Sequence, residues 1–406
     1  MVYKCFGRGR VMNKWAKVVG LLVVLLALGL AAGCGGGGQE EAKDTGDTIK
    51  IGVNYELSGE VATFGSHTKD GIMLAFEEIN ANGGVLGKKI EPIVRDNRGI
   101  ADEAMSVATK LITEEGIVAH LGAATTGCTL AAVPVCMQYK IPLLTTSATN
   151  PDVTVDPKTG ETREYIFRTC FIDPPQAIVG ADFAYNDLKA RKVAIYYDNT
   201  NDYSKGLAVE FEKAFEAIGG QVVATEGYGK DDEDFRPTLT NFSKAGADLI
   251  YVPGYYQKVA KIISQARELG IKLPFLGADG WDSPELVSIA GAENLNNTYF
   301  TNHYSSSDPS ERVQNFVKAY KKKYGSVPDS FAALGYDAAY LIVDAIKRAG
   351  SAEPEAIKEA LAQTKNFEAV TGTLSFDEKH NPVKEIAIIE MVDGKQVLKT
   401  KKAPKS

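Results

Sequence analysis

The chain has 406 residues, of which 44% are hydrophobic and 24% charged, with a formal net charge of −7 and five cysteines. An acidic balance without a basic block argues against nucleic acid as a partner. The length beyond the N-terminal segment is too great for one core and fits two domains of ordinary size.

Residues 1–33 read as a signal peptide. Lys4, Arg8, Arg10, Lys14 and Lys17 precede an apolar run from Val18 to Leu30, which ends at Ala31-Ala32-Gly33-Cys34. Positive charge, an apolar stretch and small residues mark a cleaved secretory leader, and the run falls short of the roughly 20 residues a membrane span needs. Cys34, followed by four glycines, looks like the lipid-modified first residue of a bacterial lipoprotein. The alternative is an ordinary leader cut near Ala32, with Cys34 a stray thiol; Ala31 also stands where leucine is more usual in a lipobox. Met12 opens a leader of ordinary length, so the start at Met1 or Met12 is left open. Residues 34–48 read as a flexible tether, too polar and glycine-rich to bury a core. Loss of residues 1–33 removes five basic and no acidic residues, which takes the net charge from −7 to −12.

From residue 49 short apolar runs alternate with helical patterns. Ile49–Val53 reads as a strand, followed by a helix carrying Ile72, Ala75, Phe76 and Ile79, with Ser66 as its expected cap and Asn82-Gly83-Gly84 as its end. Lys89–Val94 is a second strand, and the next helix presents Ala104, Val107, Ala108, Leu111 and Ile112 before Gly116. The rhythm continues through strands at Ile117–Leu121, Ile141–Leu144, Val193–Tyr197, Val222–Thr225, Leu249–Val252, Phe275–Leu276 and Thr298–Tyr304. Late helices over Val313–Tyr320 and Ala332–Ala349 must cover one of the sheets. Such alternation predicts an α/β fold with two parallel sheets of about five strands, each flanked by helices.

Catalytic patterns are missing. The four histidines, His67, His120, His303 and His380, have no second histidine or cysteine at metal-ligand spacing. No phosphate-cradling glycine loop and no nucleophile elbow occurs. Cys128 and Cys136, if on one helix, stand about 12 Å apart along it, beyond the roughly 7 Å reach of a disulfide. With Cys170 they are expected to be small buried thiols.

In open α/β sheets ligands bind where strands end and helices begin. Two successive strand ends are rich in hydroxyls: Gly122-Ala123-Ala124-Thr125-Thr126-Gly127 and Thr145-Thr146-Ser147-Ala148-Thr149-Asn150. Free backbone N–H groups and hydroxyls there suit a carboxylate, although one such loop alone would only cap a helix. In the second half, Val252-Pro253-Gly254-Tyr255-Tyr256 and Leu276-Gly277-Ala278-Asp279-Gly280-Trp281 place aromatics and a carboxylate at equivalent ends. Hydroxyls facing an aspartate describe a zwitterion receptor, while Asp279 alone would equally serve as a turn residue.

At these residues the chain resembles the leucine/isoleucine/valine-binding protein family, the substrate-binding components of amino-acid ABC importers. The resemblance covers nearly all of residues 49 to 395, through Leu57-Ser58-Gly59, Glu78-Ile79-Asn80, Gly83-Gly84-Val85-Leu86-Gly87, Asp96 and Gly335-Tyr336-Asp337. It implies a two-lobed type I periplasmic binding protein with three crossings, which the chain rhythm places near Thr169, Tyr304 and Gly372. Lobe 1 would comprise 49–169 and 305–372, and lobe 2 170–304 and 373–400. By the same resemblance Thr126, with its own N–H, and the N–H of Thr149 receive the ligand carboxylate. The Thr149 hydroxyl and the Ser147 carbonyl meet the ammonium. Tyr255 faces the carboxylate and Asp279 the ammonium, and Phe64, Tyr203 and Phe331 line the side-chain pocket. Trp281, two residues beyond Asp279 on a strand-end loop, is expected at the mouth of the cleft, the alternative being a plain surface or core residue of the second lobe. Two departures stand out. Asp279 replaces a frequent glutamate and draws the carboxylate back by about 1.5 Å, and Thr125 and Asn97 occupy the neighbourhood of a disulfide that some members carry.

The expectation is therefore a receptor and not an enzyme. It is tethered by lipid on Cys34 to the outer face of the cytoplasmic membrane, acts as a monomer without cofactor or metal, and hands a small amino acid to ABC permease subunits. The alternatives are a receptor for amides, urea or aromatic carboxylates on the same scaffold, and an exported hydrolase.

Overall fold

A computed structural model describes residues 48–404. The expected leader, Cys34 and all of the tether but Thr48 lie outside the described residues. Thr48 already opens the first strand.

Five short parallel strands build the first sheet. The chain runs β1 (Thr48–Tyr55), α1 (Ala62–Ala81), β2 (Lys89–Asp96), α2 (Ala101–Thr113), β3 (Ala119–Gly122), α3 (Thr126–Tyr139), β4 (Leu143–Thr145) and β5 (Ile166–Arg168), with spatial order β2-β1-β3-β4-β5. The continuous burial of β1 from Ile51 to Tyr55 is what a parallel sheet covered on both faces requires. α1 begins at Ala62 with no side-chain cap, so Ser66 lies inside the helix and not at its start. β5 is three residues long and follows a loop, which is why no periodicity announced it.

The second sheet is built from α4 (Asp173–Asp182), β6 (Lys192–Asp198), α5 (Asp202–Ala217), β7 (Gln221–Tyr228), α6 (Arg236–Lys244), β8 (Leu249–Tyr251), α7 (Tyr256–Glu268), β9 (Phe275–Gly277), α8 (Pro284–Ala290) and β10 (Thr298–Asn302). The chain then returns to the first sheet with α9 (Glu311–Tyr324), α10 (Ser330–Ala349), α11 (Pro354–Ala362) and the hairpin β11 (Phe367–Ala369) and β12 (Gly372–Leu374). It ends with β13 (Ile386–Val392), which adds antiparallel to β10, and β14 (Lys395–Lys402), which pairs antiparallel with β13. The second sheet therefore has seven strands, in the order β14-β13-β10-β9-β8-β6-β7, instead of about five parallel ones.

α1 and α10 pack along each other over the first sheet. Their backbones meet at two glycines: a Cβ on Gly71 would lie 2.0 Å from the Ala332 carbonyl oxygen, and one on Gly335 2.3 Å from that of Thr68. This contact seats Phe64 and Phe331 side by side, with ring centroids 4.1 Å apart.

The chain passes between the sheets at residues 169–172, 303–310 and 383–385. The third passage lies beyond Gly372. Residues 375–382 stay with the first sheet because Phe376 N–H donates to the Thr364 carbonyl, Thr154 donates to Asn381 at 2.9 Å, and His380 stacks on Phe167 at 4.1 Å. Lys384 then joins two passages, its buried ammonium donating to the Thr169 carbonyl at 2.9 Å and to the Thr371 hydroxyl. Asn97 donates to Asn54 at 3.0 Å and Asn54 to the Ala104 carbonyl at 2.9 Å, a buried polar network. Cys128, Cys136 and Cys170 are free and buried. No helix among the described residues is long and apolar enough to cross a membrane.

Candidate functional site

Strand ends from both sheets converge on one small cavity. Phe64, Ala124, Thr125, Thr126, Ser147 and Phe331 wall it from the first lobe, and Tyr203, Tyr255, Asp279 and Gly280 from the second, around an empty volume of about 220 Å³. Seven residues expected at the ligand, Phe64, Thr126, Ser147, Tyr203, Tyr255, Asp279 and Phe331, thus share one wall. A larger hollow of about 1120 Å³ lies away from these loops, on the outside of the first lobe beside Phe316, Tyr336 and Tyr340.

Glu56, unrecognised in the sequence, sets the first-lobe side. It follows β1 and is wholly buried, and its carboxylate accepts from Ala124 N–H at 3.1 Å, Thr125 N–H at 3.0 Å and the Thr125 hydroxyl at 2.7 Å. Burial pushes its pKa up while these bonds oppose the rise. So held, Thr125 stands at the N-cap of α3 and Thr126 begins the helix, whose N-terminus, with its free N–H groups and positive dipole end, lies at the cavity. The Thr126 hydroxyl is buried there without a protein partner. From the other side α7 begins at Tyr256 with Tyr255 as its N-cap, so two helix N-termini, one per lobe, open at this cavity.

Asp279 is only 2% exposed. One carboxylate oxygen accepts from Gln176 Nε2 at 2.7 Å and the Tyr203 hydroxyl at 2.9 Å, while the other lies 3.2 Å from His303 Nε2. Burial drives the Tyr203 and Tyr255 hydroxyls well above their ordinary pKa, so both remain protonated donors. Gly280 N–H donates to the Tyr203 oxygen at 2.9 Å, and a Cβ on Gly280 would lie 2.8 Å from the Gly254 carbonyl oxygen, so a side chain there would push the aspartate loop away. Gln176 and His303 are not marked in the sequence, because a glutamine inside a helix and a histidine without a metal partner carry no spacing signal.

Two expected residues stand elsewhere. Thr149 is fully buried but outside the cavity wall. The Arg168 guanidinium donates to the Ala148 carbonyl at 2.6 Å and the Asn150 carbonyl at 3.0 Å, on either side of Thr149, whose hydroxyl, like that of Thr126, is buried without a protein partner. Trp281 is not at the mouth of the cleft: it is wholly buried, its ring lies against Gly277, and its Nε1–H donates to the Val252 carbonyl at 2.9 Å. A large ring with one donor gains most where it is packed and that donor is satisfied.

The lips of the cavity touch directly. Phe64 meets Tyr255 and Tyr256 edge-on at 5.4 and 5.2 Å, Tyr256 OH donates to the Glu60 carbonyl at 3.0 Å, and Asp282 accepts from Ser330 N–H at 2.8 Å. The lobes therefore meet across these lips, with an aromatic box between a hydroxyl and helix-dipole end and a carboxylate end, while a hollow beside it opens between Arg98 and Thr125 of the first lobe and Asn201 and Lys230 of the second.

The profile of the periplasmic binding protein family matches residues 48–396. The chain belongs to this family. It is 31% identical over 335 residues to the leucine-, isoleucine-, valine-, threonine- and alanine-binding protein of Pseudomonas aeruginosa, covering 82% of this chain and 87% of that one. The branched-chain amino acid transporter substrate-binding protein of Streptococcus pneumoniae, solved with isoleucine, superposes with a TM-score of 0.82 at 39% identity, covering 88% of this chain and 99% of that one. A solute-binding protein of Rhodopseudomonas palustris, solved with 3,4-dihydroxybenzoic acid, gives a TM-score of 0.77 at 28% identity, with coverage of 88% and 98%. Members of the family are solute-binding proteins, and its periplasmic character places the chain outside the cytoplasm. Within this chain, burial pushes the Cys128 and Cys170 thiols up to about 12, which leaves neither as a nucleophile. Among the described residues no group of three His, Cys, Asp or Glu side chains is placed to hold a metal ion.

Proposed function

We propose that this protein is the receptor of an ABC importer and closes on a small zwitterionic amino acid with an aliphatic, branched-chain side chain. One observation carries the reading: one narrow space between the lobes is bordered by the Thr126 hydroxyl and two helix N-termini for a carboxylate, Asp279 for an ammonium, and the Phe64–Phe331 pair for an apolar side chain. Each lobe supplies part of the contact set, so ligand binding favours the shut state. The amino-acid ligands of the Pseudomonas and Streptococcus relatives support the same class.

The test is calorimetry and thermal unfolding of the purified protein against leucine, isoleucine, valine, benzoate, acetamide and urea. At 100 times its dissociation constant the right ligand adds about 2.7 kcal/mol of stability. Isoleucine, leucine or valine is expected to do so. A second reading, a receptor for aromatic carboxylates, draws support from the dihydroxybenzoate-bound relative and from the ring-lined wall. Stabilisation by benzoate and by none of the amino acids would favour it over the first.

In this reading Cys34 carries the lipid that keeps the monomeric receptor beside its permease, as its place after Ala31-Ala32-Gly33 suggests. Cys34→Ala is expected to abolish incorporation of radiolabelled fatty acid. Label retained at the parental level would remove the anchor from the proposal.

A further inference from the structure

His303 belongs to the second passage between the lobes, directly after β10, yet its side chain reaches the site. Its ring stacks on Phe171 of the first passage with centroids 3.9 Å apart, and its Nε2 lies 3.2 Å from an Asp279 carboxylate oxygen. The backbone is pinned as well, since His303 N–H donates to the Asn302 side chain at 2.8 Å. The other ring nitrogen, Nδ1, is buried without a protein partner.

An ionised carboxylate only accepts, so the Asp279 contact fixes the proton of a neutral imidazole on Nε2. If packing against Phe171 were the sole purpose, phenylalanine would fill the space without the cost of leaving Nδ1 buried and unsatisfied. The Nε2–H donor is what the histidine adds. We propose that His303 is a positioning residue, whose Nε2–H aims the Asp279 carboxylate into the cavity and leaves the negative charge of Asp279 free for the ligand ammonium. The proposal rests on the reading of Asp279 as the partner of that ammonium.

Charge explains why a neutral donor suits the place better than a cation. A protonated imidazole would form its own ion pair with Asp279, and the ligand ammonium would then meet a carboxylate already compensated. The groups facing the ring are Asp279 and Asp282 from the loop after β9, Lys384 from the third passage and Phe171 from the first. Burial lowers the pKa of His303 below its ordinary 6.5, Asp279 opposes that shift, and the Lys384 ammonium adds to it. Binding therefore weakens as pH falls through the His303 transition, below about 6.5.

Isoleucine titrations of the parent, His303→Phe, His303→Gln and Asp279→Asn between pH 4.5 and 8 decide the matter. His303→Phe keeps a ring over Phe171 but has no donor, and its affinity at pH 7.5 is expected to fall roughly tenfold, the worth of one hydrogen bond to a charge. His303→Gln keeps an N–H donor and is expected to stay within about threefold of the parent, with a flatter pH dependence of Kd because glutamine does not titrate. If His303→Phe matches the parent in both Kd and pH profile while Asp279→Asn has lost affinity, the positioning role falls and the Asp279 reading stands. If Asp279→Asn binds isoleucine like the parent, the Asp279 reading itself falls. Should His303→Phe fail to fold, the His303→Gln profile decides alone: a pH dependence identical to the parent's overturns the proposal, and a flattened one supports it.

Discussion

Asp279→Asn is expected to weaken binding of an aliphatic amino acid by roughly 100-fold or more, about 3 kcal/mol at 1.4 kcal/mol per tenfold. The substitution keeps the size of the side chain and removes its charge, so a ligand ammonium enclosed with it loses its counter-charge. The surroundings enlarge the effect. Gln176 Nε2, the Tyr203 hydroxyl and His303 Nε2 all converge on the two carboxylate oxygens. An asparagine offers one oxygen and turns an NH₂ toward donors, leaving at least one of them unpaired at about 1–3 kcal/mol. The ligand-free variant is therefore also expected to unfold at lower denaturant, a consequence that the isolated Asp-Gly-Trp segment did not reveal. Calorimetry with isoleucine and a denaturant titration read the two effects separately. Near-parental affinity would mean that the ligand carries no amine or does not lie against Asp279.

The second large effect is expected from Glu56→Ala. Its carboxylate is the acceptor for two buried backbone N–H groups and the Thr125 hydroxyl. Truncation strands all three, a destabilisation of about 3–5 kcal/mol once partial relaxation is allowed. It also frees the turn that positions Thr126 at the start of α3, so affinity is expected to fall roughly tenfold even where the fold survives. Glu56→Gln retains one acceptor oxygen and is expected to lie between the two. A Glu56→Ala protein within 1 kcal/mol of the parent in denaturant, with unchanged affinity, would show that the 124–126 turn holds itself.

The chain's local code was legible because it is written in periodicities. The apolar pairs of β1, α1 and the regularly spaced strands through β10 each appear at their own spacing, and parallel α/β order follows from their alternation. The hydroxyl-rich turns at Thr125-Thr126 and Ser147, the aromatics at Tyr255 and the carboxylate at Asp279 were likewise marked by position, since strand ends are where this class of sheet offers free donors. Family landmarks then supplied their roles, and residues more than 150 positions apart do meet at one cavity: Phe64, Thr126, Asp279 and Phe331.

What only the tertiary structure decided is how long-range partners compete for these groups. Arg168 binds the carbonyls on either side of Thr149, and Trp281 is not at the mouth because the Val252 carbonyl and the bare face of Gly277 receive it. Glu56, Gln176 and His303 gained their places through hydrogen bonds to residues 24 to 103 positions away. The β13–β14 hairpin joined the second sheet although it comes after the last return to the first. Sequence determines which local element each stretch prefers, because backbone and neighbouring side chains act within a few residues. It leaves open which buried donor meets which distant acceptor, because that choice is made by packing of the whole chain.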